Sequence, residues 1–309
     1  MERESPVSSL RNAALFLALG ICWGGSFPAI EIALVELRPL LLGAYRFDVG
    51  ALVALAYVFW RADDPYPRGR SDWGAVAVAA LLFVVANIAF LAYGQRYTTG
   101  GVAAIVYSLN PILTTFFTVW LLGEGSLDFR GYVGVVLGVV GVGLVAQPSP
   151  SDLAGDTTIG VALVFVAAVA VSFGSVATRW LDPQSDALPR TAWEMGFGAI
   201  VLHVLSVAAG EPQPLPTALS AEVLGSLLFL GVFGSAVGFG IYFGLLDLLG
   251  PFEINLVSYV VPVVATVAGV VILSEPVTPL TVGGFLVVVA GFALVKREAI
   301  RRAVDGSSW

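Results

Sequence analysis

TGGVAAIVYSLNPILTTFFTVWLLGEGSLDFRGYVGVVLGVVGVGLV (residues 99–145) and GPFEINLVSYVVPVVATVAGVVILSEPVTPLTVGGFLVVVAGFALV (residues 250–295) are two versions of one pattern. Pro111 aligns with Pro262, Thr115 with Thr266 and Glu124 with Glu275. After a one-residue gap Gly134 aligns with Gly284, Gly141 with Gly291 and Leu144 with Leu294. Each version holds two long apolar runs separated by a short polar turn. Working outward from these, the chain divides into ten stretches that approach the roughly 20 apolar residues a membrane crossing needs: 12–35, 39–60, 73–95, 99–123, 129–146, 158–179, 190–209, 222–248, 253–274 and 279–296. Turn and charge signals separate them, as in RADDPYPRGRSD (61–72), QPSPSDLAGD (147–156) and GEPQPLPTALSAE (210–222).

Composition agrees. Of 309 residues, 58% are hydrophobic and only 12% charged, with a mean hydropathy of +0.90. A soluble domain is nearer a quarter charged. In a bilayer, lipid solvates the outer faces and each backbone polar group is satisfied within a helix. The expected fold is therefore an all-α membrane protein of ten transmembrane helices in two five-helix repeats. Five is odd, so the second repeat enters the membrane inverted. That is the architecture of many secondary transporters. The expected organisation is an N-terminal tail (1–11), a first repeat (12–146), a second, inverted repeat (158–296) and a C-terminal tail (297–309).

The basic residues orient the spans. With the N-terminus inside, the inner segments hold twelve of the fifteen basic residues, and only Arg38 and Arg96 fall in outer loops. By the positive-inside rule both termini are expected in the cytoplasm of a multi-pass plasma-membrane protein. Arg3 and Arg11 before an apolar run resemble a signal sequence, but the run is too long and no cleavage pattern follows. An uncleaved first helix is expected.

Several functions are disfavoured. One Cys (Cys22) and one His (His203) rule out the usual His/Cys metal sites and most His-dependent triads, so no metal and no cofactor are expected. A net charge of −7 argues against nucleic acid. There is no HExxH, GxSxG or Walker A pattern. The loops are about a dozen residues at most, short for a receptor or scaffold. A membrane-embedded enzyme and a non-transporting scaffold remain as alternatives to transport. A single Lys against fourteen Arg, with acids in the loops, fits either a halophile's salt-loaded cytoplasm or high-GC codon use.

The ordered set Trp23-Gly24-Gly25-Ser26-Phe27, Arg46, Asn110-Pro111, Glu124 and the glycine-rich fifth span, with its second-half counterparts Pro262 and Glu275, resembles the EamA family of the drug/metabolite transporter superfamily. The resemblance spans about residues 12–296. It implies ten helices, movement of small solutes such as amino acids or related metabolites, and alternating access. The second half departs from it in having Phe173 where the first has Trp23.

Arg46 lies well inside the second span, where an unpaired Arg costs about 3 kcal/mol. It is expected either to hold an anionic group of the solute or to pair with Glu31 or Asp48. Glu31 and Asp48 are alternatively proton carriers of a coupled cycle, or hydrated groups near the interface. Glu194 and Asp247 roughly mirror them and are either gating contacts or solvated helix ends. Pro111 and Pro262, near the middle of their spans, are hinge candidates, since a mid-helix Pro removes a hydrogen bond and kinks the chain. Trp23, Asn87, Tyr107, Asn110, Ser172 and Tyr259 are expected near the midplane as pocket lining, or as ordinary span residues. Gly131, Gly134, Gly138 and Gly141 share one helix face and are expected to pack against another helix, as are the pairs Gly234/Gly238 and Gly240/Gly244. His203 is expected to be a packing residue, and Glu124 and Glu275 to cap helix ends. The expected partners are a small-molecule solute and the lipid bilayer, with a homodimer left open.

Overall fold

A computed structural model describes residues 6–147 and 155–304, and the expected N-terminal and C-terminal tails fall partly outside them. The described residues are helical with no strand. Among the described residues nine helices are long and apolar enough to cross a membrane: α1 (Leu10–Leu34), α2 (Pro39–Arg61), α3 (Gly69–Gln95), α4 (Gly100–Leu122), α5 (Phe129–Ala146), α6 (Asp156–Trp180), α7 (Ala187–Ala208), α8 (Ala221–Gly250) and α9 (Glu253–Leu273). A tenth, α10 (Pro279–Val295), is apolar but has 17 residues, and α11 (Arg297–Val304) follows it.

The inversion is visible in the contacts. Gly100 N, which opens α4, donates to Glu275 Oε1, just beyond the end of α9, at 3.1 Å. The aligned helices α4 and α9 therefore run antiparallel. So do α5 and α10. A Cβ on Gly134 would lie 2.5 Å from the Gly291 carbonyl oxygen, and one on Gly141 would lie 2.7 Å from that of Gly284. Glycine alone permits this approach. The α1 helix runs parallel to α9, with Gly20 on Val260 and Gly24 on Val264. Arg297, after α10, meets Asp128, before α5, at 2.7 Å. The two ends of the described chain thus lie at one end of the bundle, here the terminal end. The opposite, distal end carries the turns after Leu34, Gln95 and Leu273.

Local sequence sets where these helices bend. Asp128, Thr99, Ser220 and Thr278 cap the helices that follow them through their side-chain oxygens. The α4 helix is broken at Ser108–Leu109 and restarts at Asn110, so Pro111 occupies the first turn of the second segment. There a missing N–H costs little. Pro111 thus follows directly on an interruption near the middle of its span, whereas Pro262 lies inside a continuous helix, Val257–Leu273. Wide π turns interrupt α3 at Ala80–Ala86, α4 at Thr118–Leu122 and α8 at Phe229–Val237. The distal half of α4, Gly100–Tyr107, is mostly buried, but from Thr114 to Leu122 its residues are partly or fully exposed.

Two glycine expectations fail. The nearest atoms to a Cβ on Gly131 belong to Leu127 and Asp128 of its own preceding turn, and nothing lies within 4 Å of a Cβ on Gly240 or Gly244. The pair Gly234/Gly238 does serve close approach, to Ser26 and Trp23 of α1.

Candidate functional site

A cavity of about 170 Å³ lies between the halves, lined from α1, α2, α3, α4, α6, α8 and α9. Its polar groups are few and specific. Arg46 of α2 donates from Nε to Ser235 Oγ at 3.1 Å and from Nη2 to the Gly234 carbonyl at 3.4 Å. The π turn in α8 presents both acceptors, and Ser235 Oγ in turn donates to Leu230 O at 3.0 Å. Among the described residues no carboxylate forms an ion pair with Arg46. Its guanidinium also lies 5.2 Å from the Phe47 ring centroid. Tyr107 OH donates to Asn87 Oδ1, while Asn87 Nδ2 donates to Phe83 O at 3.0 Å.

The walls are aromatic. Trp23 lies edge-on to Phe239 with ring centroids 5.7 Å apart, and Phe27 meets Tyr107 edge-on at 5.6 Å. Such arrangements set ring edges against ring faces and hold the walls rigid. A cavity with one cation, an amide–phenol pair and aromatic sides can orient a small solute by one charged group and grip its apolar part.

Of the expected lining residues, Trp23, Arg46, Asn87, Tyr107 and Asn110 meet at this cavity. Ser172 does not. It is fully buried behind Asn110 and donates to Asn110 Oδ1 at 3.2 Å. Tyr259 turns the other way, its ring 4.7 Å from that of Phe292 on α10 and its hydroxyl buried without a described partner. The expected pairing of Arg46 with Glu31 or Asp48 is not formed. Asp48 points out of the bundle and accepts from His203 Nε2 at 2.8 Å, both side chains being well exposed. It therefore neither faces the cavity nor is buried, while the His203 ring packs edge-on against Tyr45 with centroids 5.8 Å apart. Glu194 is buried beside Arg190, 3.7 Å away on its own helix. There it ties the start of α7 together and does not face the cavity. Asp247 is exposed near the end of α8. Glu31 lies one turn beyond Phe27, beside Glu275 rather than Arg46.

Also lining the cavity are Phe83, Phe239 and Ser258, which the sequence did not single out, Ser26, which stood inside the Trp-Gly-Gly-Ser-Phe motif, and Gly234, expected only as a packing glycine. Ser235 gave no signal, because a π turn has no sequence signature strong enough to read. Glu211 was also missed: it accepts from Leu40 N and Leu41 N at 3.3 and 2.9 Å and caps α2 from 170 residues away in the chain.

Antiparallel halves around a cavity with a lone buried cation define a multi-pass membrane protein of inverted-repeat architecture. The profile of the EamA-like transporter family matches twice, over residues 11–147 and 158–297, and the chain belongs to that family. Among its relatives, the transporter YvbV of Bacillus subtilis is 26% identical over 96% of this chain and 95% of its own. The inner membrane transporter YedA of Escherichia coli is 28% identical over 83% and 80%. A chloroplastic WAT1-related protein of Arabidopsis thaliana is 27% identical over 88% of this chain, which spans 66% of that protein's length. One crystal structure superposes with a TM-score of 0.64 at 20% identity, covering 94% of this chain and 98% of its own, and so shares the fold. These names are those of transporters rather than enzymes.

Proposed function

We propose that the protein is a secondary transporter that carries small organic solutes bearing an anionic group, such as amino acids or related metabolites, by alternating access. In this reading ten helices cross the plasma membrane, both termini face the cytoplasm, and the two inverted halves rock about the central cavity. The observation that carries it is Arg46: a guanidinium facing a cavity between inverted repeats, held by a hydroxyl and a carbonyl, with no described carboxylate to neutralise it. Its remaining donors suit a carboxylate, which a guanidinium takes in two parallel hydrogen bonds. The cavity is smaller than the roughly 300–1,000 Å³ of drug-sized sites, which favours a small metabolite. The apolar aromatic walls favour a solute with some apolar surface beside its charge.

Two measurements test this. Purified protein is screened for solutes that raise its melting temperature, since a ligand that binds only the folded state stabilises it. A stabilising anionic solute is then followed in proteoliposomes. Arg46→Ala is expected to remain folded in the membrane and to lose affinity roughly 10- to 100-fold, the worth of a hydrogen bond to a charged group. Undiminished transport by that variant removes Arg46 from the site.

A further inference from the structure

Beyond the distal end of the cavity, one turn past its lining residue Phe27, two carboxyl groups converge. Glu31, near the end of α1, lies in hydrogen-bonding reach of Glu275, which follows α9. Both converge on the first residues of α4. Glu275 accepts from Gly100 N at 3.1 Å and Gly101 N at 3.4 Å. Glu31 Oε1 lies 3.1 Å from where a Cβ on Gly100 would be. A Cβ on Gly269 would fall 2.3 Å from Glu275 Oε2. Three glycines therefore make the space in which the pair sits. Two carboxylates offer only acceptors, so a hydrogen bond between them needs a proton.

The surroundings supply no cation to replace that proton. From α1 the facing group is Glu31, and from the end of α9 it is Glu275. From α4 only backbone amides and Thr99 approach, and the Thr99 hydroxyl accepts from Val102 N. From α9 the Thr266 hydroxyl lies close to Gly101. The distal-loop cations Arg38 and Arg96 act on Tyr93 and form no ion pair with either glutamate. The remaining neighbour is Gln95 of α3, only 5% exposed. Its Nε2 reaches Phe27 O at 3.0 Å and Glu31 Oε1 at 3.5 Å, while its Oε1 is buried with no described partner.

We propose that Glu31 and Glu275 bind one proton between them and that this proton latches the distal end of the cavity shut. Loss of the proton to water leaves two like charges in contact, and they separate. Glu275 then leaves the amides of α4, and α1, α4 and α9 part at this end. Phe27 and Ile30, which line the cavity, stand within one turn of Glu31. Opening therefore reaches the solute directly. The latch deepens the transporter reading and rests on it only for its consequence, the coupling of solute movement to protons.

The test does not require a known solute. In a Cys22→Ala background, spin labels at Tyr97→Cys and Val277→Cys flank the pair from the two sides. The distance between them is measured on the full chain in lipid nanodiscs from pH 5 to pH 9. The wild-type pair is expected to shift to longer distances as pH rises, and the shift is expected to vanish in E31Q and in E275Q, whose amides keep the shape but do not titrate. A pH-independent distance, or the same shift in both variants, overturns the latch. A shift that follows sodium at constant pH also overturns it, in favour of a metal cation. Failure of the solute reading appears separately, as a normal pH shift in protein that transports nothing in proteoliposomes.

Discussion

Glu275 and Glu124 are the same position in the two repeats, yet they live in opposite circumstances. Glu275 is seated against the first amides of α4 and against Glu31 at the distal end. Glu124, at the terminal end, pairs with Arg179 at 2.5 Å, with both side chains more than half exposed. The sequence differences between the repeats account for this. Gly269, which leaves room for the Glu275 carboxylate, aligns with Thr118. Gly100-Gly101 aligns with Pro251-Phe252, and a proline has no N–H to donate. Carrying the match of Trp23 with Phe173 forward sets Leu181 against Glu31. Duplication copied the backbone and the glutamate but not the chemistry around it. One end seats carboxyl groups on a helix start, and the other holds a screened surface ion pair. The loose packing of α4 from Thr114 onward, against its buried distal half, follows the same division.

Four substitutions break or sharpen this contrast. Glu275→Ala leaves two buried N–H groups without their acceptor and is expected to cost about 2 kcal/mol, seen as a lower melting temperature in detergent. Gly269→Ala pushes the Glu275 carboxylate off the same amides, so its cost is expected to approach that of Glu275→Ala and not to add to it in the double variant. An additive double variant would mean that Gly269 does something other than make room. Asp128→Asn, at the terminal end, is expected to lower stability at neutral pH and to remove part of its pH dependence. The Gly131 amide, with Arg297 adding to it, holds this carboxylate below the usual aspartate value. A depressed folded-state value contributes stability above the unfolded value that is lost as pH falls through the folded one. The wild type should therefore lose melting temperature below about pH 4, where aspartate ordinarily titrates, and Asp128→Asn should show less of that loss. Glu124→Ala, smallest of the four, is expected to change stability by less than about 1 kcal/mol, as exposed pairs do. A cost equal to that of Glu275→Ala would erase the distinction between the ends.

The sequence carried much of the fold and part of the site. Hydropathy and the aligned prolines, glutamates and glycines are properties of spacing, and spacing along a helix survives in one dimension. Arg46, Tyr107 and Asn87 were legible because a polar group deep in an apolar run needs a destination. Their partners were not. Span order sets Glu31 and Arg46 at similar depths, but it does not fix which face of α1 looks at which helix, and Arg46 reaches the level of Ser26 beside Gly234. The α1 helix gives its Gly20 and Gly24 face to α9, which carries Glu31 toward Glu275. Tyr259 failed for the same reason, since its ring faces α10. Asp48 failed because an acid in a span may still point outward, where His203 meets it. The break in α4 fell one turn before Pro111, because proline is better tolerated at a helix start than within it.

The contact between α5 and α10 has a mechanical meaning. Each half contributes one of these two helices, and at Gly134, Gly141, Gly284 and Gly291 backbone lies on backbone, with no side chain between them to yield. At this line, pressing the two helices together or sliding one along the other brings main-chain atoms into overlap. In the alternating-access reading proposed above, the halves turn about this line as a door turns on its post, and the helices farthest from it sweep the widest arc.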